Sequence, residues 1–255
     1  MDGVRRLGGA GGPTPDENDQ DAVRRLRRLV ATGCRVLAAH GESDLIWGHA
    51  SVRDPDGRGA WLKAAGWGLE EITPDRVHLV SRTGEVTEGG GQRHAEYPIH
   101  TEVLAARPDV GAVVHVHPRH AIALAATGQD LLPVSHEANL FGPDPLPRFT
   151  RTTDLIVSAG LGRAVADGLG DRNALFLVNH GVVCVGPDLP TAVVTAVLLE
   201  RACEQQLLTT AAGGRPTWTG REESVAKRDR IYTDEALHLA WDYLVRQLAG
   251  GTSHG

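Results

Sequence analysis

Hydrophobic residues recur every three or four positions near the start of the chain, with arginines between them. The apolar positions of this stripe are Val23, Leu26, Val30, Cys34 and Leu37. A stripe of this period is typical of an amphipathic helix that lays its apolar face on a core. The pattern therefore predicts an opening helix from Asp21 to about Gly41.

Short apolar runs separated by turn residues follow this helix. Asp54-Pro55-Asp56-Gly57 and Arg82-Thr83-Gly84-Glu85 combine residue types that favour tight turns. The runs on either side of these turns predict short antiparallel strands. The predicted strands span residues 46–53, 60–63 and 77–80, and a fourth starts at Val86.

The rest of the chain alternates between segments with helical periodicity and segments rich in β-branched residues. The predicted helices span residues 99–106, 119–126, 153–169, 189–210 and 234–248. The predicted strands are residues 112–117 and a strand pair within residues 174–186, hinged on His180-Gly181. Residues 128–151 contain four prolines and predict a loop that wraps the functional site.

The length of the chain favours one domain. A chain of 255 residues can form one large α/β domain, and no break in its middle indicates two. We therefore expect a single domain from residue 21 to residue 248. Residues 1–20 and 249–255 predict a disordered N-terminal tail and a flexible C-terminal tail, because they contain little that could pack.

Charge and cysteine content exclude several classes of partner. The formal net charge is −6, and no basic stripe with interleaved aromatic residues indicates a nucleic-acid groove. No run approaches the roughly 18 apolar residues of a membrane helix, and no signal-peptide core is present near the N-terminus. The cysteines lie in apolar segments and predict reduced core residues. We expect a soluble cytoplasmic protein without nucleic-acid or membrane partners.

Histidines carry the candidate chemistry. Because side chains alternate along a strand, His115 and His117 share one face, with Cα atoms roughly 7 Å apart. Such a pair alone is more typical of a strand surface, but His180 adds a third imidazole beside a glycine. Three protein ligands with an open position are typical of catalytic zinc and similar ions. Glu96, at the start of a predicted helix, is the candidate for proton transfer.

The order of these residues resembles the class II aldolase/adducin family. The similar motifs are Glu96, His115 and His117, and Asn179-His180-Gly181-Val182, and the resemblance runs from about residue 23 to residue 248. It implies an α/β fold with three layers (αβα), in which helices cover both faces of a mainly antiparallel central sheet. It also implies a homotetramer with active sites at subunit interfaces. It also implies that His115, His117 and His180 bind a divalent metal ion and that Glu96 is the catalytic acid or base. Zinc is expected first, with Mn, Co or Fe as alternatives.

The substrate-binding positions differ from those of the sugar-phosphate members that the chain resembles. Those members gather phosphate with Gly-Asn, Ser-Gly and Ser-Ser pairs, which correspond here to Gly48-His49, Ala65-Gly66 and His94-Ala95. Each missing hydrogen bond to a charged phosphate would contribute ~1.5–3 kcal/mol to binding, so a phosphorylated substrate is disfavoured. The residues predicted to bind a carboxylate substrate instead are His49, Arg93 and His94, with Gly48 and Gly66.

This pattern is nearer to the hydroxyaryl-acid decarboxylase branch of the family. It predicts a metal-dependent lyase that decarboxylates a non-phosphorylated hydroxy or oxo carboxylic acid, aromatic acids included, through a metal-stabilised enolate. Three alternatives remain: a retro-aldol aldolase or epimerase of a sugar phosphate, an Fe(II)-dependent oxygenase on an aryl-oxo acid, and a non-catalytic adducin-like structural protein. Lys63 and His100 are expected at the solvated surface.

Overall fold

Eight strands form one sheet. The computed structural model describes residues 15–213 and 216–249. The strands are β1 His49–Arg53, β2 Ala60–Lys63, β3 Val77–Val80, β4 Val86–Glu88, β5 Ala112–Val116, β6 Arg148–Phe149, β7 Ala174–Leu177 and β8 Gly181–Gly186. Their order in the sheet is β4-β3-β2-β1-β5-β8-β7-β6. Only the β6–β7 pair is parallel, which confirms the expected mainly antiparallel sheet.

Helices cover both faces of this sheet. They are α1 Pro15–Ala39, α2 Tyr97–Ala106, α3 Arg119–Thr127, α4 Ala159–Leu169, α5 Leu189–Ala211, α6 Arg221–Ile231 and α7 Asp234–Ala249. One buried apolar cluster joins a sheet face to α1, α3, α5 and α7, and a second joins the opposite face to α2 and α4. These two clusters confirm the three-layer αβα arrangement. Among the described helices, none is long and apolar enough to cross a membrane.

Alternation along β5 decides where its histidine lies. Val114 and Val116 belong to the cluster with α1 and α5, whereas Val113 belongs to the cluster with α2 and α4. His115 has the same parity as Val113, so it lies on the side of the sheet that α2 covers. The N-terminus of α2 therefore lies near the end of β5.

The first helix begins at Pro15 instead of the predicted Asp21. Proline is well tolerated at the start of a helix. Residues 15–20, predicted as part of the tail, are thus helical. The remaining predicted tail segments, 1–14 and 250–255, lie outside the described residues.

Two further helices differ from the sequence prediction. α4 begins at Ala159 and not at Thr153, because Ser158 caps it by accepting a hydrogen bond from the N–H of Leu161. The residues ahead of this cap are therefore free to approach the functional site. α6 was not predicted, since its sequence is dominated by charged residues and lacks an apolar stripe.

Candidate metal centre

Two histidines converge at the end of β5. His115 lies within the strand and is completely buried, and His117 follows the strand directly. The centroids of their rings are 4.9 Å apart, and their Nε2 atoms are 3.2 Å apart. The structure therefore brings together the two imidazoles that strand alternation predicted on one face.

His180 reaches the same point from the turn between β7 and β8. Its ring centroid lies 5.0 Å from that of His115 and 5.3 Å from that of His117. Glycine is required beside it, because a Cβ atom at Gly181 would lie 2.5 Å from the carbonyl oxygen of Val116. The His-Gly pair in the sequence thus reflects a close approach of two backbone segments.

Glu96 adds a carboxylate to this cluster from the residue that precedes α2. Its Oε2 lies 3.7 Å from Nε2 of His115, and its Oε1 lies 3.6 Å from Nε2 of His180. The N–H of Ile156 donates to Oε1 at 2.8 Å. Ligand atoms from Glu96, His115, His117 and His180 all lie within 4.8 Å of one another. These four residues could hold one metal ion.

Hydrogen bonds on the far side of two rings determine which nitrogen faces the cluster. Nδ1 of His115 lies 2.9 Å from the carbonyl oxygen of Val182, and Nδ1 of His117 lies 2.9 Å from Oδ2 of Asp44. Since these oxygens can only accept, Nδ1 carries the proton in each neutral ring and Nε2 presents a lone pair. The two lone pairs face each other, which a shared cation would satisfy.

The ring of His180 provides a separate indication of a bound ion. Both of its nitrogens are buried and have no hydrogen-bond partner among the described residues. Buried polar atoms are nearly always partnered, and imidazole nitrogen is a common ligand of zinc and related divalent ions. The residues present therefore fit a divalent metal ion.

The protonation states of His117 and Glu96 also suit metal binding. Burial, together with the neighbouring His115, lowers the pKa of His117 to about 4. Burial alone would raise the pKa of Glu96, but its contacts with His115 and His180 outweigh burial and hold that pKa well below its usual range. Neutral imidazoles and an ionised carboxylate are the forms that coordinate metals.

Asp44 is a functional candidate that the sequence analysis did not identify. It lies in the loop ahead of β1, where it forms an isolated bridge with Trp47. A carboxylate behind a metal-binding histidine fixes the orientation of the ring and raises its basicity. Asp44 and His117 are 73 positions apart, so no spacing rule links them. Only a tertiary contact reveals the pair.

A second group of histidines adjoins the cluster. His49 is the Cα partner of His115 across the β1–β5 pair, and their ring centroids are 5.0 Å apart. The ring of His94 lies 4.3 Å from that of His49. Nδ1 of His49 is 2.6 Å from Nε2 of His100, whose Nδ1 is 2.6 Å from Oγ of Ser51. The predicted substrate residues His49 and His94 thus lie beside the candidate metal centre.

Lys63 and His100 are buried, so the expectation that they lie at the surface was wrong. Both have 0% of their surface exposed. His100 lies in the first turn of α2, four residues after Glu96, which precedes the helix. Lys63 ends β2, a strand in which every residue is buried. Its ammonium group donates to the carbonyl oxygen of Ile46 and to Nε2 of His94, each at 3.1 Å.

The remaining predicted substrate residues lie in different surroundings. Gly48 has a φ of +77°, and a Cβ atom there would be 3.6 Å from the carbonyl oxygen of His115. Gly66 has a φ of +81° and open space around it. Arg93 donates to the carbonyl oxygen of His94 and lies 4.2 Å above the ring of Tyr97. Its guanidinium group is therefore not brought into the histidine group.

The fold and the cluster together define an αβα protein with a candidate site for one metal ion. Residues 28–207 match the family model described as Class II Aldolase and Adducin N-terminal domain. The chain belongs to this family, which confirms the resemblance of its motifs.

The sequence relatives include enzymes named for reactions of aromatic acids. The chain is 32% identical over 214 residues to a 3,4-dihydroxyphthalate decarboxylase from Terrabacter sp. (strain DBF63), covering 80% of this chain and 89% of the relative. It is 35% identical over 199 residues to a 4-hydroxy-3-prenylphenylpyruvate oxygenase/4-hydroxy-3-prenylbenzoate synthase from Streptomyces roseochromogenus subsp. oscitans, covering 76% of this chain and 70% of the relative. The expected proximity to the decarboxylase branch is confirmed.

A solved structure supports the fold. The L-fuculose 1-phosphate aldolase from Glaciozyma antarctica PI12 superposes with a TM-score of 0.80 at 23% identity. The match covers 95% of this chain and 94% of the aldolase. The same αβα architecture therefore extends over nearly the whole length of both chains.

Proposed function

We propose that this protein is a divalent-metal-dependent carbon–carbon lyase that decarboxylates a non-phosphorylated hydroxy or oxo carboxylic acid, preferably an aromatic one. The observation that carries the proposal is the cluster of Glu96, His115, His117 and His180, in which the ring nitrogens of His180 have no hydrogen-bond partner within the described residues. The similarity to the Terrabacter decarboxylase supports decarboxylation as the reaction.

Three histidines of the cluster, His115, His117 and His180, would hold the metal ion. When bound, a divalent ion acts as a Lewis acid toward adjacent substrate oxygens and stabilises the negative charge that develops as carbon dioxide departs. Three imidazole ligands favour zinc, and they also suit Mn, Co or Fe. Metal content of the purified protein distinguishes these ions.

Glu96 is the proposed acid and base. Its Oε1 accepts a hydrogen bond from the N–H of Ile156 and lies near His180, whereas Oε2 lies near His115 and accepts no hydrogen bond from the described residues. The low pKa of Glu96 keeps it ionised at neutral pH, so Oε2 can accept the proton of a substrate hydroxyl. The carbon–carboxylate bond breaks with its electron pair left on carbon, and Glu96 returns the proton to that carbon.

His49 and His94 are proposed to contact the substrate, next to Gly48 and Gly66. Burial is the main cause that lowers the pKa of His94 to about 3 and the pKa of His49 well below its usual value. Both rings are therefore neutral and can donate one hydrogen bond and accept another. Such groups suit the hydroxyl and carboxylate oxygens of an aryl acid. A substrate contact by Arg93 stays a prediction.

Exposed apolar side chains near the site support an assembly of several subunits. Leu45 and Trp47, which follow Asp44 in the same loop, are 71% and 50% exposed, and Leu155 and Val157 are 50% and 51% exposed. Apolar patches of this kind mark surfaces that another molecule covers. We propose a homotetramer with active sites at the subunit interfaces, and light scattering after gel filtration measures its mass.

An Fe(II)-dependent oxygenase acting on an aryl-oxo acid is the second candidate. It is favoured by the 35% identity to the Streptomyces oxygenase/synthase, and three imidazoles accept Fe(II). Substrate-dependent oxygen consumption would establish it. A sugar-phosphate aldolase or epimerase is less well supported, because the phosphate-binding donors are missing. A non-catalytic, adducin-like structural role would not require Glu96 and all three histidines, so the complete cluster argues against it.

Metal analysis and a substrate screen test the proposal together. We expect stoichiometric divalent metal, and carbon dioxide release from hydroxyaryl acids such as 3,4-dihydroxyphthalate. His115→Ala and His180→Ala should lose both metal and turnover, whereas Glu96→Gln should keep the metal and lose most turnover. His238→Ala, on the surface of α7, is the matched control. Aldehyde release from a phosphorylated ketose as the preferred reaction, or full turnover after chelation, contradicts the proposal.

A further inference from the structure

Lys63 is a buried cation without a counter-ion. It is one of two lysines in the chain, and none of its surface is exposed. Nζ donates to the carbonyl oxygens of Ile46 at 3.1 Å and Ala64 at 3.4 Å, and to Nε2 of His94 at 3.1 Å. Within residues 15–213 and 216–249, no carboxylate oxygen lies within 4.0 Å of this nitrogen. All three partners are uncharged acceptors.

An uncompensated buried charge is costly, and a bound anion offsets that cost. Burial lowers the pKa of Lys63 to about 8, while the more distant Glu70 and Glu71 act in the opposite direction. The ammonium form therefore predominates at neutral pH. A substrate with a negative group at this end of the site would supply the missing counter-charge.

Imidazole rings connect Lys63 to the candidate metal centre. His94 accepts the hydrogen bond of Lys63, and its ring is 4.3 Å from that of His49, which is 5.0 Å from that of His115. Because Nε2 of His94 is an acceptor here, the ring carries its proton on Nδ1 and remains a donor. His94 is 8% exposed, whereas Lys63 is completely buried. A ligand would thus meet His94, with Lys63 behind it.

We propose that Lys63, acting through His94, selects substrates that carry a second acid group besides the one lost as carbon dioxide. This inference rests on the proposed function and narrows its substrate class to hydroxyaryl dicarboxylates. The retained acid group lies at the His94 end of the site, and the hydroxyl oxygens at the other end of the substrate face the metal centre. Lys63 is a positioning residue, since it does not itself touch the substrate.

A structural role for Lys63 leads to a different expectation. Its bond to the carbonyl oxygen of Ile46 holds the loop that also carries Asp44. If holding this loop were its whole role, removing the ammonium group would weaken the binding of charged and neutral ligands alike. A ratio of two affinities, measured on the same protein sample, separates charge selection from this general loss.

Catechol and 3,4-dihydroxybenzoate are suitable probes, because they share two adjacent hydroxyls and differ by one carboxylate. Their affinities for the zinc-loaded full chain are measured by calorimetry. We expect the wild type to bind 3,4-dihydroxybenzoate about tenfold or more tightly than catechol, as a charge-assisted contact provides. Lys63→Met should bring the two affinities within about twofold of each other, and Lys63→Arg should keep most of the preference. Lys227→Met changes the net charge equally and should leave the ratio unchanged.

Each outcome of this experiment decides a specific point. A preserved ratio in Lys63→Met, or a wild type that binds both probes equally, overturns the inference and leaves the proposed function intact. Failure of the zinc-loaded wild type to bind either probe overturns the proposed function and this inference with it. If Lys63→Met does not fold, the wild type and Lys63→Arg still decide the question. Charge selection is refuted if the wild type binds the two probes equally, or if Lys63→Arg loses the preference for 3,4-dihydroxybenzoate although it keeps the positive charge.

Discussion

Asp44 offers a direct test of the metal assignment, because it touches His117 without belonging to the cluster. Its Oδ2 accepts a hydrogen bond from Nδ1 of His117 at 2.9 Å, and the two side chains are 41% and 14% exposed. Loss of such a carboxylate typically costs 10–100-fold in metal affinity. Since Asp44 is partly open to water, we expect the lower end for Asp44→Asn: about tenfold, or about 1.4 kcal/mol.

The measurement is a competition titration of zinc between the protein and a chromophoric chelator, which requires no substrate. Asp167→Asn is the matched control, because Asp167 lies on the exposed side of α4. The control should bind zinc like the wild type, and Asp44→Ala should be at least as weak as Asp44→Asn. An Asp44→Asn affinity within about twofold of the wild type would refute the argument that this carboxylate supports a metal-binding ring.

Three further predictions concern stability. Zinc at about 100 times its dissociation constant should raise the free energy of unfolding by about 2.7 kcal/mol and the melting temperature by about 5–10 °C, an effect that His180→Ala should abolish. Asp54→Asn should cost about 1–3 kcal/mol in urea unfolding, since the buried carboxylate accepts hydrogen bonds from Arg58 and from Nε1 of Trp61; exposed Asp56→Asn is its control. Burial would raise the pKa of Asp54, but these hydrogen bonds lower that pKa below its value in the unfolded chain. The contribution of the Asp54 carboxylate to the free energy of unfolding is therefore complete above about pH 4. As the pH falls further, the wild type and Asp54→Asn should converge in stability. Gly162→Ala should lower the free energy of unfolding by about 1–3 kcal/mol, because its Cβ would lie 2.5 Å from the carbonyl oxygen of Pro98. Gly160→Ala on the same helix should be neutral or stabilising, since the nearest atom to its Cβ would be 3.9 Å away. Equal melting temperatures for the two variants would contradict this packing argument.

The cluster of Glu96 and three histidines could be predicted because local rules apply to each of its parts. Strand alternation sends His115 and His117 to one face, and a glycine after His180 indicates a close backbone approach. Glu96 precedes a recognisable helix start with a proline at its second position. Each signal lies within a few residues of the side chain it concerns. The order of the motifs then indicated that the separate pieces belong to one site.

The surroundings of the cluster were harder to predict, since they depend on contacts between distant segments. A lysine at the end of a short strand is usually exposed, but β2 lies between β1 and β3 and is covered on both faces. The burial of Lys63 therefore follows from the layers around the sheet and not from its neighbours in sequence. Asp44 was missed for the same reason, because only the fold brings its loop to His117.

The site divides into two parts that the fold holds on different segments. The candidate ligands come from the residue before α2, from the end of β5 and the residue after it, and from the β7–β8 turn, whereas His49 and Lys63 come from β1 and β2. One register contact, His49 opposite His115, joins the two parts. Under the proposed function, substitutions in β1 and β2 change which substrate is accepted without replacing a candidate metal ligand. The architecture that the chain shares with the Glaciozyma aldolase therefore holds the candidate metal ligands on segments other than the strands that carry His49 and Lys63.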